Sequence, residues 1–416
     1  MRIAVVGAGI AGLAVALGCE LAGHEVTVYE KSETVGGRMK TLQEHGHTVD
    51  AGFHVLHTAY PTVRRWIDLE ALNAKAMDNC TVSIHPERGR RRLLGDALRS
   101  PQYMLPTLRS VGVSDGVRFL KWRMTTRASD LERSLDTSSP SISEGLRSRN
   151  FRPSTQRVLR SLFAGITLDP SLNERFSFAD FTWSAMAHGK MVVPRQGIQA
   201  VPLQLARRLK AGTVRCNTQA TSVSASSVTT ADGVEEYDCV VLATPQHVTQ
   251  LLLPAAADDH PLQERLTSTV VFQAKAPPFK RARLLLNEQW GAPGHSVLHV
   301  HVPTNLHPSD DGTHLVVATL VGPEAAHPDV HAVAIELEQW FGSQVKDWRH
   351  LCNTTVRYAL PHQDPEHHGR LVQELLVDGV YLVGDHRAHP SVQGALASAE
   401  RLLTHLGLQI PPAVNG

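Results

Sequence analysis

Three glycines near the N-terminus, Gly7, Gly9 and Gly12, have the clearest chemical role in this chain. They follow the strand-like run RIAVV and open an apolar stretch that predicts a helix over residues 10–22. In such a turn the first glycine permits the tight bend, the second lets a pyrophosphate approach the backbone, and the third lets helix and strand pack closely. The phosphates would meet unpaired N–H groups at the helix N-terminus. The spacing therefore predicts a dinucleotide site.

An acidic residue narrows the choice of nucleotide. The second predicted strand, EVTVYE, ends on Glu30, which stands 18 residues after Gly12. A carboxylate there can accept hydrogen bonds from ribose hydroxyls and would repel a 2′-phosphate, so NADP is disfavoured. The glycine pattern alone does not separate NAD from FAD.

Three later segments suit a longer nucleotide. Residues 36–38 (GGR) form a loop in which Arg38 can donate charge-assisted hydrogen bonds to a phosphate. Residues 243–245 form a small-residue turn after the buried strand YDCVVL. Residues 384–385 end the strand GVYLVGD with an acid that can hold ribitol hydroxyls, and the N-terminus of the next helix could stabilise an anionic reduced flavin.

These segments together resemble a known superfamily. The run VVGAGIAGLAVALGCELAGHEVTVYEKSETVGGR resembles the N-terminal signature of the FAD-dependent flavin amine oxidases, protoporphyrinogen oxidases and phytoene (carotenoid) desaturases. The segment DAGFHVLHTAYPTV is similar to the one that follows it in desaturase-like members. MVVPRQGIQAVPLQLARRL, YDCVVLATP and GVYLVGD with SVQGALASAERL resemble later blocks. The resemblance covers about a third of the chain, and residues 61–180 and 255–355 carry no assigned motif.

The resemblance implies FAD as the cofactor, with specific contacts along it. It places the ADP pyrophosphate on residues 7–12, the adenine ribose on Glu30 and the backbone of Ala220 against adenine. No cysteine lies in a segment resembling the covalent flavin attachment of the family, so the FAD is expected to be non-covalent.

At the flavin end, the resemblance places Arg38 and Met39 on the flavin side, Asp385 at the ribitol or pyrophosphate, and the Val392 N–H at flavin O2. The full set of residues predicted to bind the cofactor is Gly7, Ala8, Gly9, Ile10, Ala11, Gly12, Glu30, Lys31, Gly36, Gly37, Arg38, Met39, Gly52, Phe53, His54, Ala220, Ala243, Thr244, Pro245, Gly384, Asp385, Val392, Gln393 and Ala395.

The expected fold class is α/β, with a discontinuous Rossmann-like FAD-binding domain and an inserted α+β substrate domain. Strand and helix patterns recur at both ends of the chain, and helical patterns dominate residues 60–190. The predicted FAD-binding domain comprises residues 1–60, 190–265 and 356–416. The substrate-binding domain comprises residues 61–189 and 266–355.

The function indicated is a FAD-dependent oxidoreductase that dehydrogenates or isomerises a largely apolar small molecule. A flavin amine oxidase that releases hydrogen peroxide is an alternative, although Ser391 stands where monoamine-oxidase-like members carry an aromatic cage residue. A flavin-bound assembly or sensor protein without turnover is another. The candidates for polar groups near the flavin are His54, Lys190, His386 and Arg387. Each could equally be structural or solvated.

Histidines also raise the question of a metal. His299 and His301 alternate along one predicted strand, and His367 and His368 are adjacent. Without a metal-binding motif we expect no metal site, and the alternation of His299 and His301 indicates an exposed strand face.

Charge and composition exclude other classes of function. The 416 residues contain 41 Lys and Arg against 40 Asp and Glu, a balance atypical of nucleic-acid binders. The basic run RGRRR at residues 88–92 is expected at an exposed hairpin tip, with a phosphate or anionic-lipid contact as the alternative.

Cysteine usage and hydropathy favour a cytoplasmic protein. Five scattered cysteines suggest no disulfide framework, and the early first strand leaves no room for a signal peptide. Residues 100–124 mix apolar and basic side chains. They predict an amphipathic helix over the substrate domain, with a peripheral membrane element as the alternative.

Overall fold

The computed structural model describes residues 1–126, 139–257, 264–362 and 375–414. The strands are β1 (Arg2–Val6), β2 (Glu25–Tyr29), β3 (Thr41–Glu44), β4 (His47–Asp50), β5 (Leu56–His57), β6 (Lys75–Ala76), β7 (Cys80–His85), β8 (Arg90–Gly95), β9 (Met191–Val193), β10 (Val214–Arg215), β11 (Ser222–Val223), β12 (Ser227–Thr230), β13 (Gly233–Glu236), β14 (Cys239–Leu242), β15 (Thr267–Ala274), β16 (Leu285–Asn287), β17 (Val297–His301), β18 (His314–Val321), β19 (Arg349–Val356), β20 (Leu376–Val377) and β21 (Val380–Leu382). The helices are α1 (Ile10–Leu21), α2 (Pro61–Trp66), α3 (Met104–Thr125), α4 (Ile142–Ser148), α5 (Pro153–Thr167), α6 (Phe176–His188), α7 (Ala200–Ala206), α8 (Gln246–Leu252), α9 (Val330–Phe341) and α10 (Val392–His405).

The six-stranded half of the molecule is built around β1. Its sheet has the order β10-β2-β1-β14-β21-β20, in which only the edge strand β20 runs antiparallel to its neighbour. Ile3 and Val5 pack towards α1, α7 and α10, whereas Ala4 and Val6 pack towards the meander β11-β12-β13. Because both faces are covered, β1 is apolar along its buried length, as is typical of parallel strands.

The strands of this sheet come from three separate parts of the sequence, residues 2–29, 214–242 and 376–382. The predicted α/β class with a discontinuous Rossmann-like unit is therefore confirmed. The predicted strands RIAVV, EVTVY and YDCVVL and the helix after Gly9 lie where the sequence indicates, within one or two residues.

The seven-stranded half has the order β19-β15-β18-β17-β16-β7-β8 and is antiparallel except between β16 and β7. One face packs on α9, where Val333, Leu337 and Trp340 meet strand residues such as Val270. Leu298 and Val321 point to the other side, into a cluster with residues of α3 to α6.

Helices predominate in residues 60–190, as the sequence indicates, and the strands β7 and β8 of this region form a hairpin that extends the seven-stranded sheet. The run GIQAVPLQLARRLKAG predicts an amphipathic helix closed by Gly212, and this prediction is wrong at its C-terminal end. Helix α7 ends at Ala206, since the amides of Arg208 and Leu209 bond to carbonyls three residues back and tighten the chain into turns.

The basic run at residues 88–92 lies at the tip of this hairpin, as predicted. Arg88, Arg90 and Arg91 are exposed, but Arg92 is buried and its Nε lies 3.3 Å from Glu288 Oε1. Most of the basic run therefore forms an exposed tip, whereas its last residue, Arg92, belongs to a buried ion pair.

A hairpin formed by β3 and β4 leads into the segment of Gly52 to His54. Asp50 Oδ1, at the end of the hairpin, accepts hydrogen bonds from Thr41 Oγ1 at 2.6 Å and from the Ile198 amide at 2.9 Å. These bonds tie the hairpin to the segment before α7 and thereby position Gly52. In the described part of the chain, no helix is long and apolar enough to cross a membrane.

Candidate functional site

The three glycines of the first turn face different surroundings. A Cβ on Gly7, whose φ is +107°, would lie 2.8 Å from Ala243 O, and a Cβ on Gly12 would overlap Gly7 O. A Cβ on Gly9 would meet no protein atom within 4 Å. Gly9 is the N-cap residue of α1, and no side chain caps this end of the helix. The second glycine thus opens onto free space at a helix N-terminus, which fits a pyrophosphate at this position.

Glu30 lies directly beside this turn and is buried. Its Oε2 accepts a hydrogen bond from the Ala8 amide at 2.9 Å, and its Oε1 accepts one from the Ser32 amide at 2.9 Å. Each carboxylate oxygen has a further lone pair, so Glu30 can still accept from a ribose hydroxyl. The position suits the predicted ribose contact.

The loop that contains Gly36 and Gly37 covers the same turn. The Gly36 amide donates to Ala8 O at 2.9 Å, and a Cβ on Gly37 would lie 3.6 Å from Gly9 Cα. Gly36 has a φ of +127° and its Cβ would lie 2.8 Å from Met39 O, so the loop requires glycine there. The backbone of this loop therefore comes within van der Waals reach of the proposed phosphate site.

Arg38 connects this loop to the strand end at Asp385. Arg38 Nη2 lies 2.6 Å from Asp385 Oδ1, and Arg38 Nη1 donates to Ala359 O at 3.0 Å. Asp385 is buried, whereas the Arg38 side chain is 30% exposed. The predicted phosphate donor and the predicted ribitol acceptor are thus neighbours, from positions 347 residues apart.

Two candidate histidines also lie close to the Arg38 charge. Burial, together with the positive charges of Arg387 and Arg38 and against the negative charge of Asp385, lowers the pKa of His386 to about 3. Burial also lowers the pKa of His54, with Arg38 acting in the same direction and Asp50 against it. Both imidazoles are therefore neutral at neutral pH. Each ring folds over a preceding glycine, His386 over Gly384 and His54 over Gly52.

The N-terminus of α10 is held by side-chain hydrogen bonds. Ser391 Oγ accepts from the Gly394 amide at 3.1 Å, which caps the helix. Gln393 is fully buried, and its Oε1 accepts from the amide and hydroxyl of Thr62 at 3.0 and 2.7 Å. Gln393 thus anchors α10 to α2, a role that the sequence did not indicate.

The remaining predicted residues lie in varied surroundings. Met39, Ala220 and Ala395 are buried, Ala243 bonds through its amide to Val6 O at 2.8 Å, and Thr244 Oγ1 lies 2.8 Å from Thr249 Oγ1.

Lys31 and Lys190 are solvent exposed, and Lys190 pairs with Thr58 through its main chain. The buried Arg387 accepts a hydrogen bond at its carbonyl from Arg401. Pro245 and Asp385 border a small cavity together with His247 and Tyr358.

A larger cavity of about 260 Å³ begins at Gly52, Phe53 and His54. It lies between the hairpin β3-β4, the segment after β9 and the loop after β17. Its apolar lining residues include Phe53, Met77, Val193, Val302, Leu306 and Val317. The cavity starts at the segment that the resemblance places on the flavin, so it is the candidate substrate site.

Two histidines of β17, of which His301 lines this cavity, correct an expectation. His299 is 2% exposed, and Phe53 packs against both His299 and His301, at centroid distances of 4.8 and 4.7 Å. Burial lowers the pKa of each imidazole to about 3. The strand face expected to be exposed is therefore interior, because Phe53 covers it from another segment. The feature of the sequence that could have indicated this buried face is the pair of histidines at alternate positions of an otherwise apolar strand.

Within residues 1–126, 139–257, 264–362 and 375–414, no group of three or more His, Cys, Asp or Glu could hold a metal ion. His367 and His368 lie outside the described residues.

Comparisons with known proteins place this geometry in a family. The profile described as flavin containing amine oxidoreductase matches residues 10–402. A 4,4′-diapophytoene desaturase of Staphylococcus aureus (strain Newman) is 54% identical over 52 residues, which is 12% of this chain and 10% of the desaturase. The chain thus matches about a tenth of the length of that relative.

Solved structures share the fold. An oxidoreductase from Methanosarcina mazei superposes with a TM-score of 0.72 at 16% identity, over 97% of this chain and 100% of the other. Cyclohexylamine oxidase from Brevibacterium oxydans IH-35A gives 0.70 at 15% identity, over 98% and 99%. With the family profile spanning nearly the whole sequence, the chain belongs to the flavin-containing amine oxidoreductase family and is a FAD-dependent oxidoreductase.

Proposed function

We propose that this oxidoreductase dehydrogenates, or in a redox-neutral variant isomerises, a neutral and largely apolar small molecule. The supporting observation is the cavity of about 260 Å³ that begins at Gly52 to His54. The turn of Gly9, together with Glu30 and Asp385, would hold the FAD, which would supply a hydride acceptor for the dehydrogenation. The chain's own part is to bind the substrate against the segment of Gly52 to His54 and to orient it.

The walls of the cavity suit an apolar body. Met77, Val302 and Leu306 are each less than a tenth exposed, and Val317 and Phe53 add further apolar surface. Apolar contacts of this kind supply binding free energy but little direction. Orientation must come from the polar groups of the wall.

The polar groups of the wall include two neutral imidazoles, those of His54 and His301. Because burial lowers the pKa of His301 to about 3, its ring carries no charge at neutral pH. A neutral ring can donate a hydrogen bond to, or accept one from, an oxygen or nitrogen of the substrate. Burial also raises the pKa of Asp50, which weakens its pull on a cation. Arg195 and Arg283 also border the cavity. These groups favour a neutral substrate over an ammonium ion.

An amine oxidase releasing hydrogen peroxide is the second candidate, favoured by the family to which the chain belongs. Ser391, however, caps α10 at the position where monoamine-oxidase-like members carry an aromatic residue. A flavin-bound protein without turnover is the third candidate. The three differ in what reduces the flavin.

Anaerobic mixing of the FAD-loaded protein with polyenes, a porphyrinogen and primary amines tests the proposal, with flavin bleaching as the readout. We expect bleaching by the uncharged polyene or by the porphyrinogen, neither of which carries an ammonium group, and none by amines. Faster bleaching by an amine would establish the amine oxidase instead. Bleaching by dithionite alone, with every candidate substrate recovered unchanged, would favour the protein without turnover.

His301→Phe tests the polar part of the cavity. Phenylalanine keeps a ring of similar size but loses both nitrogen atoms, so we expect KM to rise about tenfold, the equivalent of one hydrogen bond, with kcat little changed. His331→Phe, at an exposed position of α9, is the matched control and should change neither constant. An unchanged KM in His301→Phe would remove His301 from substrate binding.

A further inference from the structure

Helix α3 has apolar side chains on both its faces. Its inner face includes Val111 and Trp122, and Trp122 stacks on Trp183 with ring centroids 4.6 Å apart. Its outer face includes Val113 and Val117, which are 70% and 61% exposed. A helix on a protein surface normally turns a polar face to water. The outer face of α3 does not follow this pattern.

The exposed apolar residues form one continuous stripe. Val113, Val117, Leu120 and Met124 follow one another at spacings of four, three and four residues, which places them along one side of the helix. Seven of the fourteen large apolar side chains exposed in the described residues lie between Leu98 and Met124. Exposed apolar patches of this kind mark contacts with proteins or membranes.

The exposed charged side chains of α3 are all positively charged. Arg109 and Lys121 are exposed, whereas the helix's one carboxylate, Asp115, is fully buried. Asp115 accepts hydrogen bonds from Arg118 Nη1 at 2.7 Å and from the Arg152 amide at 3.1 Å. The outward face of α3 is therefore apolar and basic.

Further basic groups border this face. At the kink of α3, Gly112 has a φ of +76°, and a Cβ there would overlap the guanidinium of Arg152. Arg152 is itself exposed and precedes α5. Basic charge thus lies beside Val113 as well as on the helix.

The hairpin tip of β7 and β8 extends the basic border. The Leu93 amide donates to Ser110 Oγ at 3.1 Å, so β8 lies along α3. Arg90 is exposed at the start of β8 and Arg157 is exposed on α5, and both β8 and α5 contact α3.

We propose that the outer face of α3 docks on the surface of an anionic phospholipid bilayer. The stripe from Val113 to Met124 would enter the boundary between headgroups and acyl chains, and the bordering Arg and Lys side chains would contact lipid phosphates. A symmetric contact between two copies would bring like charges together, which disfavours that occupant. The proposal does not depend on the identity of the substrate.

Vesicle flotation of the FAD-loaded protein tests this proposal. We expect co-flotation with vesicles of phosphatidylcholine and phosphatidylglycerol, and far less with phosphatidylcholine alone. Val117→Asp with Met124→Asp should abolish flotation, whereas the control Val234→Asp, at a position 64% exposed in β13, should leave it unchanged. Arg109→Gln and Lys121→Gln should each weaken binding about fivefold, and the exposed controls Lys275→Gln and Lys280→Gln should not.

Flavin absorbance and circular dichroism of each variant verify that it is folded. Failure of the unmodified protein to float with anionic vesicles at low salt would overturn the proposal. Equal loss in the Val234→Asp control would do the same. A dimer in light scattering that Val117→Asp dissociates would assign the face to a second copy instead.

Discussion

The two halves of the molecule build their parts of the site in different ways. In the six-stranded half, backbone groups and short loops define the site, as in the open space before Gly9 and the amides that hold Glu30. In the seven-stranded half, side chains from distant segments define the cavity, as where Phe53 meets His299 and His301. A site made of backbone turns needs glycines at set spacings, and such a pattern is visible in a sequence. A site made of packed side chains has no comparable spacing.

The largest expected effect comes from a methyl group at Gly12. Gly12→Ala would overlap the backbone oxygen of Gly7, which cannot move without opening the turn, so we expect a loss on the order of 3 kcal/mol or more in the free energy of unfolding, together with loss of FAD. Gly165→Ala in the other half would place its Cβ 3.2 Å from the end of the Leu298 side chain, which can adjust, and should cost less than about 1 kcal/mol. Urea unfolding measures both. Equal losses of unfolding free energy in the two variants would contradict this difference between the two halves.

Buried ion pairs allow a second comparison of the two halves. Arg38→Leu would leave the buried Asp385 without its 2.6 Å partner, and Arg265→Leu would do the same to the buried Asp169, whose Oδ2 lies 2.9 Å from Arg265 Nη1. We expect each change to cost about 3 kcal/mol of stability. Only Arg38→Leu should also lower FAD retention, measured by flavin absorbance after gel filtration. Equal flavin loss in both variants would show that the Arg38 effect is indirect.

The seven-stranded half should also determine part of the pH dependence of stability. Burial raises the pKa of Glu336 from 4.5 to about 7, against the hydrogen bonds from the Val297 and Ser296 amides. The folded state holds this proton more tightly than the unfolded state, so the stabilisation is complete below pH 4.5 and is lost as the pH rises towards 7. The loss amounts to about 3 kcal/mol.

Glu336→Gln tests this pH effect, because the amide cannot ionise. Unfolding measured across this pH range should give a flatter profile for Glu336→Gln than for the unmodified protein. Glu338→Gln, a more exposed position on the same helix, should keep the original slope. Parallel profiles for Glu336→Gln and the unmodified protein would exclude Glu336 as the source.

The smallest effect is expected at the ribose position. Glu30→Ala should weaken FAD binding about tenfold, since it removes the acceptor beside the Ala8 amide. Glu33→Ala, three residues along and exposed, is the control and should bind FAD normally. Titration of the apoprotein with FAD measures both. Equal affinities would contradict the assignment of Glu30.

Some elements can be predicted from the sequence better than others. The sequence predicts β1, α1, β2 and β14, because buried parallel strands and glycine turns leave local patterns. For the hairpin β7-β8 the sequence predicted the tip, at the basic run, but not the two strands on either side of it. The exposed face expected for His299 was also wrong. Alternation along a strand indicates that its two faces differ, but not which segment covers one of them.

By itself the sequence determined the fold class and the cofactor, because both depend on short runs of residues whose spacing is imposed by the backbone. Only the tertiary structure decided which distant groups meet. Arg38 reaches Asp385 from 347 residues away, Gln393 anchors α10 to Thr62, and Phe53 covers His301. It also left the apolar stripe of α3 facing outward. The physical reason is that burial and pairing depend on how the two sheets and their helices pack together, and no local pattern specifies that packing.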